Sequence, residues 1–86
     1  MRGSWRITFD VVGPDGAPLP WQRAVFYDDR DVERAYALAT HDATSGQVDA
    51  PGAGRLAVVA PGFRPWVSGP LARPPSGTHH VVARPD

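Results

Sequence analysis

Hydrophobic and polar residues alternate strictly near the start of the chain. In the segment SWRITFDVV, residues 4–12, every second side chain is apolar up to the final Val-Val pair. The alternating apolar set is Trp5, Ile7, Phe9 and Val11. A period of two is typical of a β-strand that buries one face. We therefore predict a half-buried strand with Trp5 in the core, ended by a turn at GPDG, residues 13–16.

Four further segments have the length and residue types of short strands. They cover residues 23–28, 47–50, 56–60 and 78–84. In the first of these, Ala24 and Phe26 share one face. The third is uniformly apolar and stops at Pro61 and Gly62. Proline lacks the N–H that a ladder needs and glycine accepts a sharp bend, so we predict a corner there.

The segment DVERAYAL, residues 31–38, fits two structures. Asp31 could cap a short helix, because Val32, Ala35 and Tyr36 recur at helical spacing. The same residues also fit a strand in which Tyr36, Leu38 and Thr40 share a face. We favour the strand because all of the flanking segments have β character.

Turn residues punctuate the whole chain. Ten prolines and nine glycines are spread over 86 residues, at the spacing expected of a sandwich of short strands. We predict an all-β fold: a small antiparallel β-sandwich of about seven strands, with Greek-key connections, over residues 5–86. Residues 1–4, MRGS, are interpreted as an N-terminal extension or an expression-vector remnant.

Composition excludes several kinds of chemistry. The chain has no cysteine or lysine, so it offers no thiolate and no side-chain amine as a nucleophile. Its net charge is zero and it carries no basic stripe, which argues against nucleic acid as a partner. No apolar run approaches the ~20 residues that a membrane span requires. The missing cysteine and the lack of a signal sequence predict a cytoplasmic protein, and the abundance of Ala, Gly, Arg and Pro is typical of a GC-rich bacterial genome.

The order of the motifs resembles the carboxypeptidase regulatory-like domains, also called transthyretin-like or prealbumin-like sandwiches. The matching pieces are ITFDVVGPDGAPLP, AVF, ATHDATSGQV and GRLAVVAPGF, in the order of that family. The resemblance implies a transthyretin-like fold in a family of mostly non-catalytic accessory modules. Two related activities are excluded by the residues. The chain lacks the C-terminal Tyr-Arg-Gly-Ser motif of hydroxyisourate hydrolases, and it lacks the Lys and Asn that form isopeptide crosslinks in adhesin domains.

Histidines and carboxylates are the first candidate ligands. Of His41, His79 and His80, the last two point to opposite faces of a strand and cannot share one metal ion there. The acidic residues near the middle of the chain are Asp28, Asp29, Asp31 and Glu33, and they lack the spacing of a calcium loop. We interpret both sets as solvated surface groups. The prediction is no metal, no cofactor and no catalytic residue.

Aromatic residues beside arginines are the strongest candidate site. Trp21 and Trp66 lie between prolines and arginines, and each fits either a seal at the end of the sandwich or a contact to a partner. The predicted partner-binding residues are Trp21, Arg23, Phe63, Arg64 and Trp66, since Trp and Arg are enriched at interface hot spots. This predicts a non-enzymatic module for protein–protein interaction or assembly.

Two other functions remain open at this point. One is a carbohydrate-binding module that uses Trp21 and Trp66 as coplanar rings. The other is a small hydrolase built on His41 and Asp42. The expected partner is another protein or another domain of a larger chain. The last strand, THHVVAR, has no acidic residue and no proline, so we predict a homodimer or strand addition if it lies at an edge.

Overall fold

Seven short strands build the domain in a computed structural model that describes residues 4–86. The strands are β1 (Trp5–Val11), β2 (Arg23–Asp28), β3 (Glu33–Leu38), β4 (Ser45–Ala50), β5 (Gly54–Val59), β6 (Trp66–Val67) and β7 (Thr78–Ala83). The predicted number of strands is confirmed. The described residues contain no helix, and hence none long and apolar enough to cross a membrane. Of the predicted extension MRGS, residues 1–3 lie outside the described part of the chain.

The strands form two sheets, with the orders β4-β1-β7 and β3-β2-β5-β6. The four-stranded sheet is antiparallel throughout, as predicted. In the three-stranded sheet β1 is antiparallel to β4 but parallel to β7. The prediction of a purely antiparallel sandwich was therefore wrong for this pair. The chain crosses to the other sheet for β2 and β3, returns for β4, crosses again for β5 and β6, and then enters β7 in the same direction as β1, which no local pattern encodes.

The core lies between the inner faces of the two sheets. Its largest fully buried side chains include Ile7 and Phe9 from β1, Phe26 from β2, and Leu56 and Val58 from β5. The alternation predicted for β1 is confirmed, because all four of its odd-numbered side chains are buried. Sandwiches of this kind pack their sheets about 10 Å apart, with interdigitating side chains. The core therefore depends on aromatic and aliphatic side chains from both layers.

β3 settles the ambiguity of residues 31–38. It pairs with β2, and Ala37 lies beside Ala24. Asp31 caps no helix, because it lies in the loop before the strand with a φ of 61°. The small inward side chains of Ala35 and Ala37 pack against the core, which fixes the strand better than any local helical preference.

The corner at Pro61 and Gly62 is also confirmed. Ala60 is buried, and the chain then leaves the sheet through Gly62, whose φ is 83°. The Phe63 N–H donates to the Ala60 carbonyl at 3.1 Å, which closes the turn. A side chain with a Cβ disfavours this left-handed φ, so the corner requires glycine at position 62. Phe63 is half-buried.

Ser68 extends the pairing of β5 beyond the short strand β6. Its N–H donates to the Leu56 carbonyl at 2.8 Å, and its Oγ accepts from the Leu56 N–H at 2.9 Å. The same hydroxyl donates to the Gly69 carbonyl at 2.8 Å. Ser68 is the one buried polar side chain among residues 4–86. Its hydroxyl thus replaces a backbone acceptor at a fully buried position of β5.

We expect Ser68→Ala to lower the free energy of unfolding by about 1–3 kcal/mol, because the buried Leu56 N–H loses its acceptor. Ser76→Ala is the matched control, since Ser76 is exposed and bonds only within its own turn. It should change the stability by less than about 0.5 kcal/mol. Urea unfolding of both variants measures the difference. Equal stability of the two would show that the Ser68 hydroxyl does not satisfy Leu56.

Candidate functional site

Trp21 lies inside the sandwich, with 6% of its surface exposed. Its ring packs edge-on against Phe9, with 4.9 Å between ring centroids. Its indole N–H donates to the Ser45 carbonyl at 2.9 Å. Trp21 therefore seals the edge of the sandwich next to the start of β4, and its ring is not available as an exposed anchor.

The other aromatic and arginine residues of the predicted site lie apart from Trp21. Trp66 is half-buried, pairs with Val58 and packs against the core. The Arg64 side chain is exposed. The backbone N–H of Arg64 donates to the Asp86 carbonyl at 2.6 Å, which holds the end of the chain beside the corner after β5. The structure thus does not bring Trp21, Trp66 and their neighbouring arginines together on one exposed face.

Arg23 is the predicted site residue that lies on an open sheet surface. Its guanidinium carbon is 5.9 Å from the centroid of the Tyr36 ring, within the range of a cation–π contact. Its Nη2 is also 3.6 Å from a carboxylate oxygen of Glu33. These contacts hold Arg23 against the solvent-facing side of β3, although each is worth little at such an exposed position.

A continuous row of apolar side chains crosses the outer face of the four-stranded sheet. The register pairs Tyr36 with Val25, Val25 with Ala57, and Ala57 with Val67, so one residue comes from each strand. We call this set the apolar row. Tyr36 and Val67 at its two ends are 61% and 57% exposed, whereas Ala57 is half-buried and Val25 is buried. Leu38, beside Tyr36 on β3, is 66% exposed.

An arginine lies in the neighbouring row on each side of the apolar row. One neighbouring row contains Arg23 between Leu38 and Val59, and the other contains Tyr27 beside Arg55. Within residues 4–86, Arg55 makes no ion pair at 4.0 Å or less. The outer face therefore has an apolar centre and an arginine at its rim, the arrangement found in protein interfaces.

Alternation along β2 and β3 could have indicated this face. The sequence pattern places Arg23, Val25 and Tyr27 on one side of β2. It also places Tyr36 beside Leu38 in the strand alternative for β3. Only the cross-strand register shows that these residues align with Ala57 and Val67, so the complete row was missed.

His80 connects two side chains of β1 on the outer face of the other sheet. Its Nδ1 lies 2.8 Å from the Thr8 Oγ1, and its Nε2 lies 3.0 Å from an Asp10 carboxylate oxygen. His79 pairs with the inward-facing Ile7, so the two histidines point to opposite faces, as predicted. Among residues 4–86, no group of three His, Asp or Glu side chains is placed to hold a metal ion.

The Thr8–His80–Asp10 arrangement has the residue types of a nucleophile, a base and an orienting acid. An acyl-transfer site also needs free N–H donors for the developing oxyanion. The trio lies in mid-strand, where the ladders to β4 and β7 use the N–H groups of β1. We therefore interpret the trio as a cross-strand contact that holds β7 against β1, and not as an acyl-transfer site.

The acidic residues around Asp28 form the loop between β2 and β3. One oxygen of Asp28 accepts the N–H groups of Arg30 and Val32, at 2.9 and 3.0 Å. The other accepts from the Arg34 Nε at 2.7 Å. This loop borders an open cleft of about 480 Å³ that Arg55 and Leu71 also line. The Asp28 carboxylate is thus committed to holding the loop.

We expect Asp28→Asn to destabilise the protein most at neutral pH. The hydrogen bond from Arg34, and next the one from the Val32 N–H, lower the pKa of Asp28 from 3.8 to about 2. A lowered pKa stabilises the fold above the unfolded value near 4, and that contribution disappears as the pH falls towards 2. The difference in unfolding midpoint between wild type and variant should therefore shrink from pH 5 to pH 3. A constant difference would contradict this, and Asp29→Asn is the control.

No protein-family model matches the chain, and a search of the curated proteins found no significant match. What the structure establishes is a small all-β sandwich of seven strands in two sheets.

Proposed function

We propose that the chain is a non-catalytic module for protein–protein interaction, and that the outer face of the four-stranded sheet binds the partner. The apolar row carries this proposal, because its end residues Tyr36 and Val67 are exposed, as is Leu38 beside Tyr36, while Ala57 and the buried Val25 connect the two ends across β5 and β2. Contiguous apolar surface on a soluble domain commonly marks an interaction site. The partner is a protein, or another domain of a larger chain, with an apolar surface and a carboxylate that can reach Arg55.

The energetics of this face favour a small number of anchors. Full burial of an exposed Leu or Val side chain is worth roughly 1.5–3 kcal/mol. Tyr36 adds a rigid ring with few rotatable bonds, and Arg23 already lies over that ring before any partner arrives. Tyr and Arg are also the residues that most often dominate interface energies. Tyr36 and Leu38 are therefore the expected hot spots.

Carbohydrate binding has weaker support. It requires exposed rings on which a sugar can stack, and the original hypothesis named Trp21 and Trp66. Trp21 points into the core and Trp66 faces the interior from β6. Tyr36 remains as an exposed ring on the outer face, without a coplanar neighbour in the apolar row.

A relationship to the carboxypeptidase regulatory-like, or transthyretin-like, domains is part of the proposal. It is supported by the ordered sequence motifs and by the division of seven strands into sheets of three and four. The Asp15-Gly16 turn also has the expected form, with a φ of 83° at Gly16. Accessory modules of that family are mostly non-catalytic, in agreement with an interaction function.

Affinity capture with paired variants tests the proposal. Three baits are compared: the wild type, the double variant Tyr36→Ser/Leu38→Ser, and the control variant Val82→Ser. Val82 is an exposed valine on the other sheet. We expect one stoichiometric protein to be retained by the wild type and the control but lost with the double variant. The purified protein should then bind the wild type directly, and at least tenfold more weakly after Arg55→Glu.

Equal capture by all three baits, or no captured protein at all, would contradict the proposal. Thermal melting of each bait shows that loss of binding is not loss of fold. The double variant should melt within a few degrees of the wild type, because substitutions at exposed positions seldom change stability by more than about 0.5 kcal/mol each.

A further inference from the structure

The two sheets have four edge strands, and three of them carry features that block pairing with another chain. β3 begins with Glu33 and Arg34, and its register with β2 shifts between Phe26 and Tyr27, so that Arg34 is an extra residue in β3 without a partner in β2. β4 contains an aspartate, Asp49. β6 has only two residues. Charges, bulges and short length are the usual protections of sheet edges.

β7 lacks all of these protections. It is the edge of the three-stranded sheet, and its six residues, THHVVA, include neither an acidic residue nor a proline. His79 is exposed although it lies on the inner face, and Val82 is 42% exposed. No described segment covers this edge with a ladder, since β7 pairs with β1 alone. The condition attached to the predicted homodimer, an edge position for the last strand, is therefore met.

Alternate residues of β7 direct their backbone groups away from β1. The Arg6 N–H donates to the Gly77 carbonyl and the Val12 N–H to the Ala83 carbonyl, so odd-numbered residues of this segment face β1. The N–H and C=O groups of His80 and Val82 therefore point outwards. Thr78 is already satisfied by the Ser76 hydroxyl. The His80 ring is held back over β1 by Thr8 and Asp10, which leaves the edge accessible.

We propose that two copies of the chain pair through β7 in an antiparallel arrangement, with Val81 opposite its counterpart in the second copy. His80 then pairs with Val82 of the other copy in both directions, which makes four backbone hydrogen bonds. Thr78 lies opposite Arg84, so no like charges meet. A register shifted by two residues places His80 opposite either His80 or Arg84 of the second copy. In both cases the two side chains repel each other when the imidazole is protonated.

The size of this contact predicts a weak dimer. A strand of six residues is about 20 Å long, and a single edge buries less than the ~600–800 Å² per partner of a stable interface. The pairing joins two three-stranded sheets into one of six strands. It does not use the outer face of the four-stranded sheet, so it is independent of the proposed binding function.

Sedimentation equilibrium between about 10 μM and 1 mM tests the association. The wild type should change from monomer to partial dimer over this range. Val82→Pro should remain a monomer, because it removes an outward N–H and leaves every hydrogen bond to β1 intact. A wild type that stays monomeric at 1 mM, or a dimer that Val82→Pro does not affect, would overturn the proposal.

Single cysteines then test the register. The chain has no cysteine of its own, so Val81→Cys carries one thiol. In a non-hydrogen-bonded antiparallel pair the two Cα atoms are about 4.5 Å apart, which a disulfide can span. Val81→Cys should crosslink at least tenfold faster than Val67→Cys, an exposed control on the other sheet. Equal rates, or faster crosslinking of His80→Cys, would exclude this register.

Discussion

We expect Gly54→Ala to lower the free energy of unfolding by about 3 kcal/mol or more. A Cβ at this position would overlap the Tyr27 carbonyl oxygen and would lie 2.9 Å from the Tyr27 carbonyl carbon and 2.7 Å from Phe26 Cζ. The Tyr27 atoms belong to a paired strand and cannot rotate away. Overpacking against a fixed backbone costs at least as much as overpacking against side chains, which is typically 1–3 kcal/mol.

Two hydrogen bonds increase the cost at Gly54. Its N–H donates to the Leu71 carbonyl at 2.9 Å, and its own carbonyl accepts from the Leu71 N–H at 2.7 Å. Moving Gly54 to relieve the overlap would strain this bridge as well as the pairing with β2. A domain of 86 residues has a total stability of roughly 4–13 kcal/mol, so the variant should lose a large fraction of it.

Gly52→Ala is the matched control, because a Cβ there meets no atom within 4 Å. Thermal melting should place Gly54→Ala at least about 12 °C below the wild type and Gly52→Ala within a few degrees of it. If the two variants melt together, the close approach of β5 to Tyr27 is not a feature of the protein in solution.

Local patterns predicted most of the strands, because burial on one face leaves a direct trace in the sequence. β1 is the clearest example, since its alternation extends over seven residues and every predicted core residue is buried. The turn at Gly16 and the corner at Gly62 were predicted for a similar reason, and both glycines have positive φ. A strained backbone position selects its residue type directly.

Pairing direction and the full outer face could not be predicted in this way. The parallel contact between β1 and β7 depends on how the intervening segments cross between the sheets, which involves residues more than 60 positions apart. The apolar row also draws one residue from each of four strands, and a single strand shows only one member of it. Such features require the register, which is a tertiary property.

The aromatic candidates show where composition misleads. Trp21 and Trp66 were equally consistent with a seal and with a partner contact, because a tryptophan between prolines fits both. What decides the question is the space left by Gly46. A Cβ on that residue would lie 2.5 Å from the Trp21 ring and 2.8 Å from the Phe9 ring. The absence of a side chain on β4 thus provides the space in which Trp21 is buried.

We therefore expect Trp21→Ala to destabilise the fold by about 3–5 kcal/mol, the usual cost of deleting a large buried aromatic side chain. The variant loses the edge-on contact with Phe9 and leaves the Ser45 carbonyl without its indole donor. Trp21→Phe keeps a ring in the same space and loses the N–H, so it should cost about 1–2 kcal/mol. Urea unfolding of both variants measures these differences.

The same experiment separates the structural function of Trp21 from a function in binding. Tyr36→Ala, on the exposed outer face, should change the free energy of unfolding by less than about 0.5 kcal/mol, although it removes a proposed hot spot. Loss of binding by Trp21→Ala would thus follow from unfolding, whereas loss by Tyr36→Ala would follow from the missing contact. If Trp21→Ala were as stable as the wild type, its ring would not be part of the core, and a direct contact with a partner would again be the better explanation.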